Sequence, residues 1–203
     1  DLVGNFFGRK LERRIPLIVY KDSVSLASGF KWGRDQKAAG VYWRGTIGIL
    51  SPRLYVKNTK QVQRNFLKQG PVVHELVHLW VDDMTQGNYT RWWSEGVAQY
   101  VERELTGFAF GNPFVREREF DYYTLEELEN GFDDLDKSIA YWESLKFIDF
   151  IVKEHGPGCV VEIVNALRRN EKMSQVVEGV TSIRYDMLQK LFYQELDINE
   201  REV

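Results

Sequence analysis

The apolar positions of the chain follow two periods. From Ile15 to Leu50 they come in short runs broken by polar residues and glycine. Ile15 to Tyr20 (Ile-Pro-Leu-Ile-Val-Tyr) reads as a buried strand, with Pro16 near its start where a missing N–H does least harm. Asp22 to Gly29 is polar and reads as a loop. Val41–Arg44 and Thr46–Leu50 read as two strands joined at Gly45. Gly48 inside the second strand signals a bulge or a close backbone approach. Both an ordinary hairpin and an edge strand open to an extended peptide fit residues 40–50. Pro52 ends this segment, and Lys60 to Lys68 reads as a polar helical connector.

From Pro71 onward the apolar period is that of a helix. Val72, Val73, Leu76, Val77, Leu79 and Trp80 cover most of the circumference of a helix running to about Met84, which marks it as a core helix. Gln86 to Thr90 is a turn. A second helix follows from about Trp92 to Glu102, with Thr90 or Ser94 as its cap and Gly107 as its end. Arg116 to Asp121 is a charged surface stretch. Thr124-Leu125-Glu126-Glu127 is a capping box opening a helix that ends near Gly131. Asp136 to Glu154 is the longest helical pattern, carried by Ile139, Tyr141 or Trp142, Leu145, Ile148 and Ile151 or Val152, and stopped by Gly156-Pro157. Val160–Leu167, Ser174–Val180 and Ser182–Leu196 give further helices, with Ser174 and Ser182 as caps. No repeat or low-complexity linker interrupts the chain. The expectation is one α+β domain over residues 1–203. A small N-terminal mixed sheet and two helices form a lobe of residues 1–104. A mainly helical lobe covers residues 105–203, with a cleft between the two.

Composition narrows the function classes. With 43% hydrophobic and 14% aromatic residues, 203 positions can bury a sizeable core. A net charge of −3, from 27 basic and 30 acidic residues, argues against a nucleic-acid surface driven by bulk charge. The single cysteine, Cys159, excludes an internal disulfide and a cysteine-based metal site, and its apolar neighbours Val160 and Val161 suggest a core side chain. No apolar stretch reaches the ~18 residues of a membrane span. The sequence starts at Asp1 rather than Met, as a processed or trimmed product would.

The chemistry is concentrated in Val73-His74-Glu75-Leu76-Val77-His78. Two histidines four apart project from one helical face and can share a metal, while Glu75, about 100° round the helix, can reach a water on it. With 3 His in 203 residues this pattern is expected by chance only roughly 0.004 times. Glu95 stands 17 positions after His78. That gap lets one helix end, turn and lay a second helix beside the first, so that a carboxylate near its start completes a His, His, Glu set. Three protein ligands with an open fourth position is the catalytic form of a zinc site. His155, the remaining histidine, sits where a helix C-terminus favours a cation and suggests a structural role.

Together with Trp92-Trp93-Ser94-Glu95-Gly96-Val97-Ala98-Gln99-Tyr100, this stretch resembles the gluzincin metallopeptidases, and within them the peptidase MA-like domains. It is similar to the alanyl-aminopeptidase branch in Trp80 and in the Trp92, Glu95, Gly96, Ala98 pattern, and to thermolysin in its zinc site. The specific part covers about residues 71–104, and a weaker likeness extends to Tyr141-Trp142-Glu143-Ser144. The resemblance implies one Zn²⁺ per chain held by His74, His78 and Glu95, with Glu75 as general base toward a zinc-bound water. It implies Tyr141 as the donor that stabilises the oxyanion, a core tyrosine being the competing reading; Tyr100, five positions beyond Glu95, is the poorer candidate. The implied activity is hydrolysis of a peptide or protein substrate, and an extracytoplasmic location is favoured. Residues 40–50 lack the Gly-x-Met-Glu-Asn motif that holds a free amino end, so an endopeptidase ranks above an aminopeptidase, with a non-catalytic zinc-binding domain as the third reading. Gln99 stands where thermolysin-like members carry an Asp that orients a metal histidine, which leaves Asp82 or Asp83 as the expected orienting partner.

Overall fold

The computed structural model describes residues 2–31, 38–54, 66, 70–114 and 122–201. The expected connector at Lys60–Lys68, Phe66 apart, and the charged stretch Arg116–Asp121 lie outside these residues. The elements in order are α1 (Leu2–Phe6), β1 (Leu17–Tyr20), α2 (Ser23–Gly29), β2 (Gly40–Trp43), β3 (Thr46–Leu50), α3 (Val72–Thr85), α4 (Arg91–Thr106), α5 (Leu125–Gly131), a 3₁₀ turn (Phe132–Asp134), α6 (Lys137–His155), α7 (Gly158–Leu167), α8 (Met173–Thr181) and α9 (Tyr185–Arg201). A small mixed sheet with a mainly helical body is an α+β fold, as the apolar pattern implies. Among the described residues, no helix is long and apolar enough to cross a membrane.

The chain divides into two compact units. The first holds residues 1–80 and 101–109, the second 81–100 and 110–203. In the first, the three strands lie in the order β1-β3-β2, with β1 parallel and β2 antiparallel to β3. Ile47 and Ile49 of the central strand are buried with Val41, Leu26, Ala27, Val3 and Phe7. The expected burial of β1 is not observed: Leu17, Ile18 and Val19 are exposed, at 50%, 43% and 55%. The reason is position, because β1 is an edge strand and the core of this sheet belongs to β3. Gly48 keeps its place in the ladder opposite both Ile18 and Val41, so it is not a bulge. A Cβ there would stand 2.4 Å from the Phe30 ring, so what approaches the glycine is an aromatic side chain rather than the expected backbone.

Asp22–Gly29 is not a loop. Ser23–Gly29 is the helix α2, because the Asp22 carboxylate accepts the Ser25 N–H at 2.7 Å and caps the first turn while Leu26 and Ala27 turn inward. The Thr124 capping box forms as its sequence implies. Asp136 caps α6 by accepting from the N–H groups of Ser138 and Ile139, and Gly156 ends it at φ 77°. Ser174 lies within the first turn of α8 rather than capping it. Ser182 ends α8 in the left-handed region instead of opening α9.

The second unit is built on aromatic packing. Trp92 and Phe147 meet edge to face at 5.2 Å, and Phe147 meets Phe192 at 5.2 Å. Cys159 is buried here, and burial pushes its thiol up to about 11, which keeps it unreactive. Gly96 lets α4 approach α6: a Cβ at this position would lie 2.5 Å from the Ser144 carbonyl oxygen and 2.9 Å from Ile148 Cγ1. Because the obstacle is backbone, Gly96→Ala is expected to destabilise the fold by about 1–3 kcal/mol in urea denaturation. An unchanged midpoint contradicts this packing.

Candidate metal centre

Pro71 opens α3, where its missing N–H costs nothing, and its carbonyl accepts the Glu75 N–H at 3.0 Å. One turn separates His74 from His78, and their rings lie 4.8 Å apart at 77°. The turn Gln86–Thr90 then leads into α4, which carries Glu95 one turn beyond its start. His74, His78 and Glu95 each offer one ligand atom, and these atoms all lie within 4.8 Å of one another. The two histidines are half-buried and the glutamate is buried. Two imidazoles and one carboxylate on converging side chains are the donor set and number that a zinc ion takes at a site with an open position.

Glu75 is 6% exposed and stands on the same turn. Its Oε1 lies 2.8 Å from the point where a Cβ on Gly40 would be, and Pro71 Cβ is 2.6 Å from that point. Strand β2 therefore reaches the carboxylate through a residue with no side chain.

His74 has Glu102 as a partner, a residue that the sequence reading did not single out beside Asp82 and Asp83. His74 Nδ1 and Glu102 Oε2 are 3.2 Å apart, and Glu102 is 4% exposed. A carboxylate on Nδ1 holds the proton there and leaves Nε2 free as a ligand. Asp83 is exposed, and Asp82 interacts with Tyr89, whose phenol is pushed up to about 12 by burial and by that aspartate. Gln99 is turned to other work: its amide donates to the carbonyls of Glu95 at 3.2 Å and Tyr141 at 2.8 Å. The signal for Glu102 was its place seven residues, or two turns, after Glu95, which returns it to nearly the same face of α4. Glu102→Gln is expected to weaken zinc binding ~10–100-fold, read by competition with a chelator. An unchanged affinity shows that the bond does not tune the site.

Tyr141 projects from the first turn and a half of α6, and its hydroxyl donates to Glu95 Oε1 at 2.9 Å. It is half-buried against Phe132, ring centroids 5.4 Å apart. Burial, reinforced by the Glu95 charge, raises its pKa well above the usual phenol range, and the group stays a neutral donor. Tyr100 is buried, at 5% exposure, and His155 is the exposed last residue of α6. Arg91, which carried no signal read from the sequence, stands at the first position of α4. Its Nη2 lies 3.5 Å from Glu95 Oε1, its Nη1 3.3 Å from Asp133 Oδ1, and its guanidinium sits 5.8 Å over the Phe132 ring. The i, i+4 spacing of Arg91 and Glu95 was the available clue.

A family model described as the peptidase MA superfamily matches residues 6–196. No match was found among curated proteins or among solved structures.

Proposed function

The chain belongs to the peptidase MA superfamily, and from that membership we propose that it is a zinc-dependent metallopeptidase that cuts within peptide chains. The observation that carries the reading is the convergence of His74, His78 and Glu95 beside a buried Glu75 that is not part of the ligand group. Held by His74, His78 and Glu95, a zinc ion supplies Lewis acidity toward the scissile carbonyl and makes a water easier to deprotonate. Glu102 fixes the ring and tautomer of His74. Glu75 accepts one proton of the attacking water and delivers it to the leaving amine, and the water's other hydrogen stays on the new carboxyl group, so the products are a carboxylic acid and an amine with Glu75 restored. The Tyr141 hydroxyl is the donor for charge developing on the carbonyl oxygen.

Cleavage within a chain is favoured by what β2 lacks. Gly40, Val41, Tyr42 and Trp43 carry no carboxylate to hold a substrate's amino end. A preparation loaded with zinc and given matched peptides, N-acetylated or free, is expected to cut both at internal bonds. A strict need for a free amino end makes the enzyme an aminopeptidase instead. Cleavage of neither, with zinc bound, leaves a non-catalytic metal domain.

A further inference from the structure

Tyr141 presents a problem of hydrogen-bond accounting. A phenol has one O–H. Here it is given to Glu95 Oε1, a carboxylate that is 6% exposed. If the same proton serves an oxyanion, it must leave Glu95, and a buried carboxylate oxygen that loses a donor is costly. Arg91 lies at that same oxygen, Nη2 to Oε1 3.5 Å, and also interacts with the Tyr141 hydroxyl. The guanidinium is permanently charged and has five N–H donors in a rigid plane, so it can serve several acceptors at once. Its position is held from the other side by Asp133 and by the Phe132 ring, the ring that also packs on Tyr141.

We propose that Arg91 is a positioning residue that takes over the Glu95 carboxylate when Tyr141 turns its hydroxyl to the substrate oxyanion. Arg91 then acts through Tyr141 and does not touch the reacting atoms. The i, i+4 pair on α4 keeps Glu95 in place across the cycle, and Asp133 keeps Arg91 from following the phenol. This rests on the peptidase reading for the identity of the anion, but its geometry does not: any tetrahedral anion placed at the metal centre asks Tyr141 for the same proton.

The test is a double-substitution cycle read by binding. The probe is a phosphonamidate peptide, an inert tetrahedral anion, titrated calorimetrically into zinc-loaded wild type, Arg91→Gln, Arg91→Lys, Tyr141→Phe and the Arg91→Gln/Tyr141→Phe pair. Zinc affinity of each is measured separately, and circular dichroism reports folding. Arg91→Gln is expected to weaken probe binding roughly 5–100-fold in the wild-type background. In the Tyr141→Phe background, where no proton is moved, the same change is expected to cost less than about 3-fold, within the range of ordinary surface changes. Arg91→Lys is expected to recover part of the loss. Zinc affinity is expected to change less than probe affinity. Equal losses in both backgrounds, or a zinc loss as large as the probe loss, overturns the inference in favour of a merely structural ion pair, and so does a wild type that does not bind the probe. Coupled binding in a protein that cuts no peptide keeps the role of Arg91 and removes the peptidase reading.

Discussion

Glu75→Gln is expected to lower kcat for peptide cleavage by ~10²–10⁴-fold, the range general-base catalysis contributes, while zinc stays bound at one per chain. Glutamine has the shape of glutamate and can occupy the space beside Gly40 and Pro71, where Glu75 Oε1 packs. It cannot accept a proton. Glu75 lies outside the ligand group His74, His78, Glu95, so metal content is expected to be untouched. The paired measurement is steady-state cleavage with metal analysis on the same preparation. Loss of zinc with activity would move Glu75 into the metal shell, and full activity would remove it from the chemistry. Gly40 adds a companion test. A methyl group there meets Glu75 Oε1 at 2.8 Å, so Gly40→Ala is expected to cost activity without removing zinc.

Glu95→Ala is expected to have the other large effect, on metal rather than on proton transfer. It deletes a charged ligand and leaves two imidazoles, which belong to a weaker and less selective site. Zinc affinity is expected to fall by more than ~100-fold, beyond the range that loss of an outer partner such as Glu102 produces. It also removes the acceptor of the Tyr141 hydroxyl and a carboxylate paired with Arg91. The effect is therefore expected to exceed that of Glu102→Gln in both metal affinity and cleavage. Chelator competition across the two variants gives the ranking, and equal affinities would mean that Glu95 is not a ligand.

The parts of the site readable from sequence are those written in local spacing. His74 and His78 four apart, Glu75 between them, and Glu95 one turn into the next helix need only helical geometry and a short connection. Tyr141 was reachable through the family likeness, and its place at Glu95 Oε1 depends on α6 packing with α4 through Gly96, which no local pattern encodes. Glu102 was missed because a glutamate on an amphipathic helix looks like a solvated charge until the helix is seen to bury it. Arg91 has its i, i+4 partner Glu95 in local spacing, but its second pairing, with Asp133, joins positions far apart in sequence and could not be read there. In the fold, the polar residues of α2 hide a cap, since Asp22 accepts the N–H of Ser25 three residues on. The exposure of β1 could not be read from its composition. Leu-Ile-Val-Tyr describes a central strand and an edge strand equally well, and only the pairing order β1-β3-β2 distinguishes them.

The most direct test of the central claim is reconstitution. Protein stripped with a chelator is titrated with zinc while cleavage of an N-acetylated, C-amidated peptide library is followed by mass spectrometry. Cleavage at internal bonds should rise to saturation at one zinc per chain in the wild type, with no comparable rise in Glu75→Gln. Cleavage that is indifferent to chelation, or zinc that binds without any cleavage appearing, contradicts it.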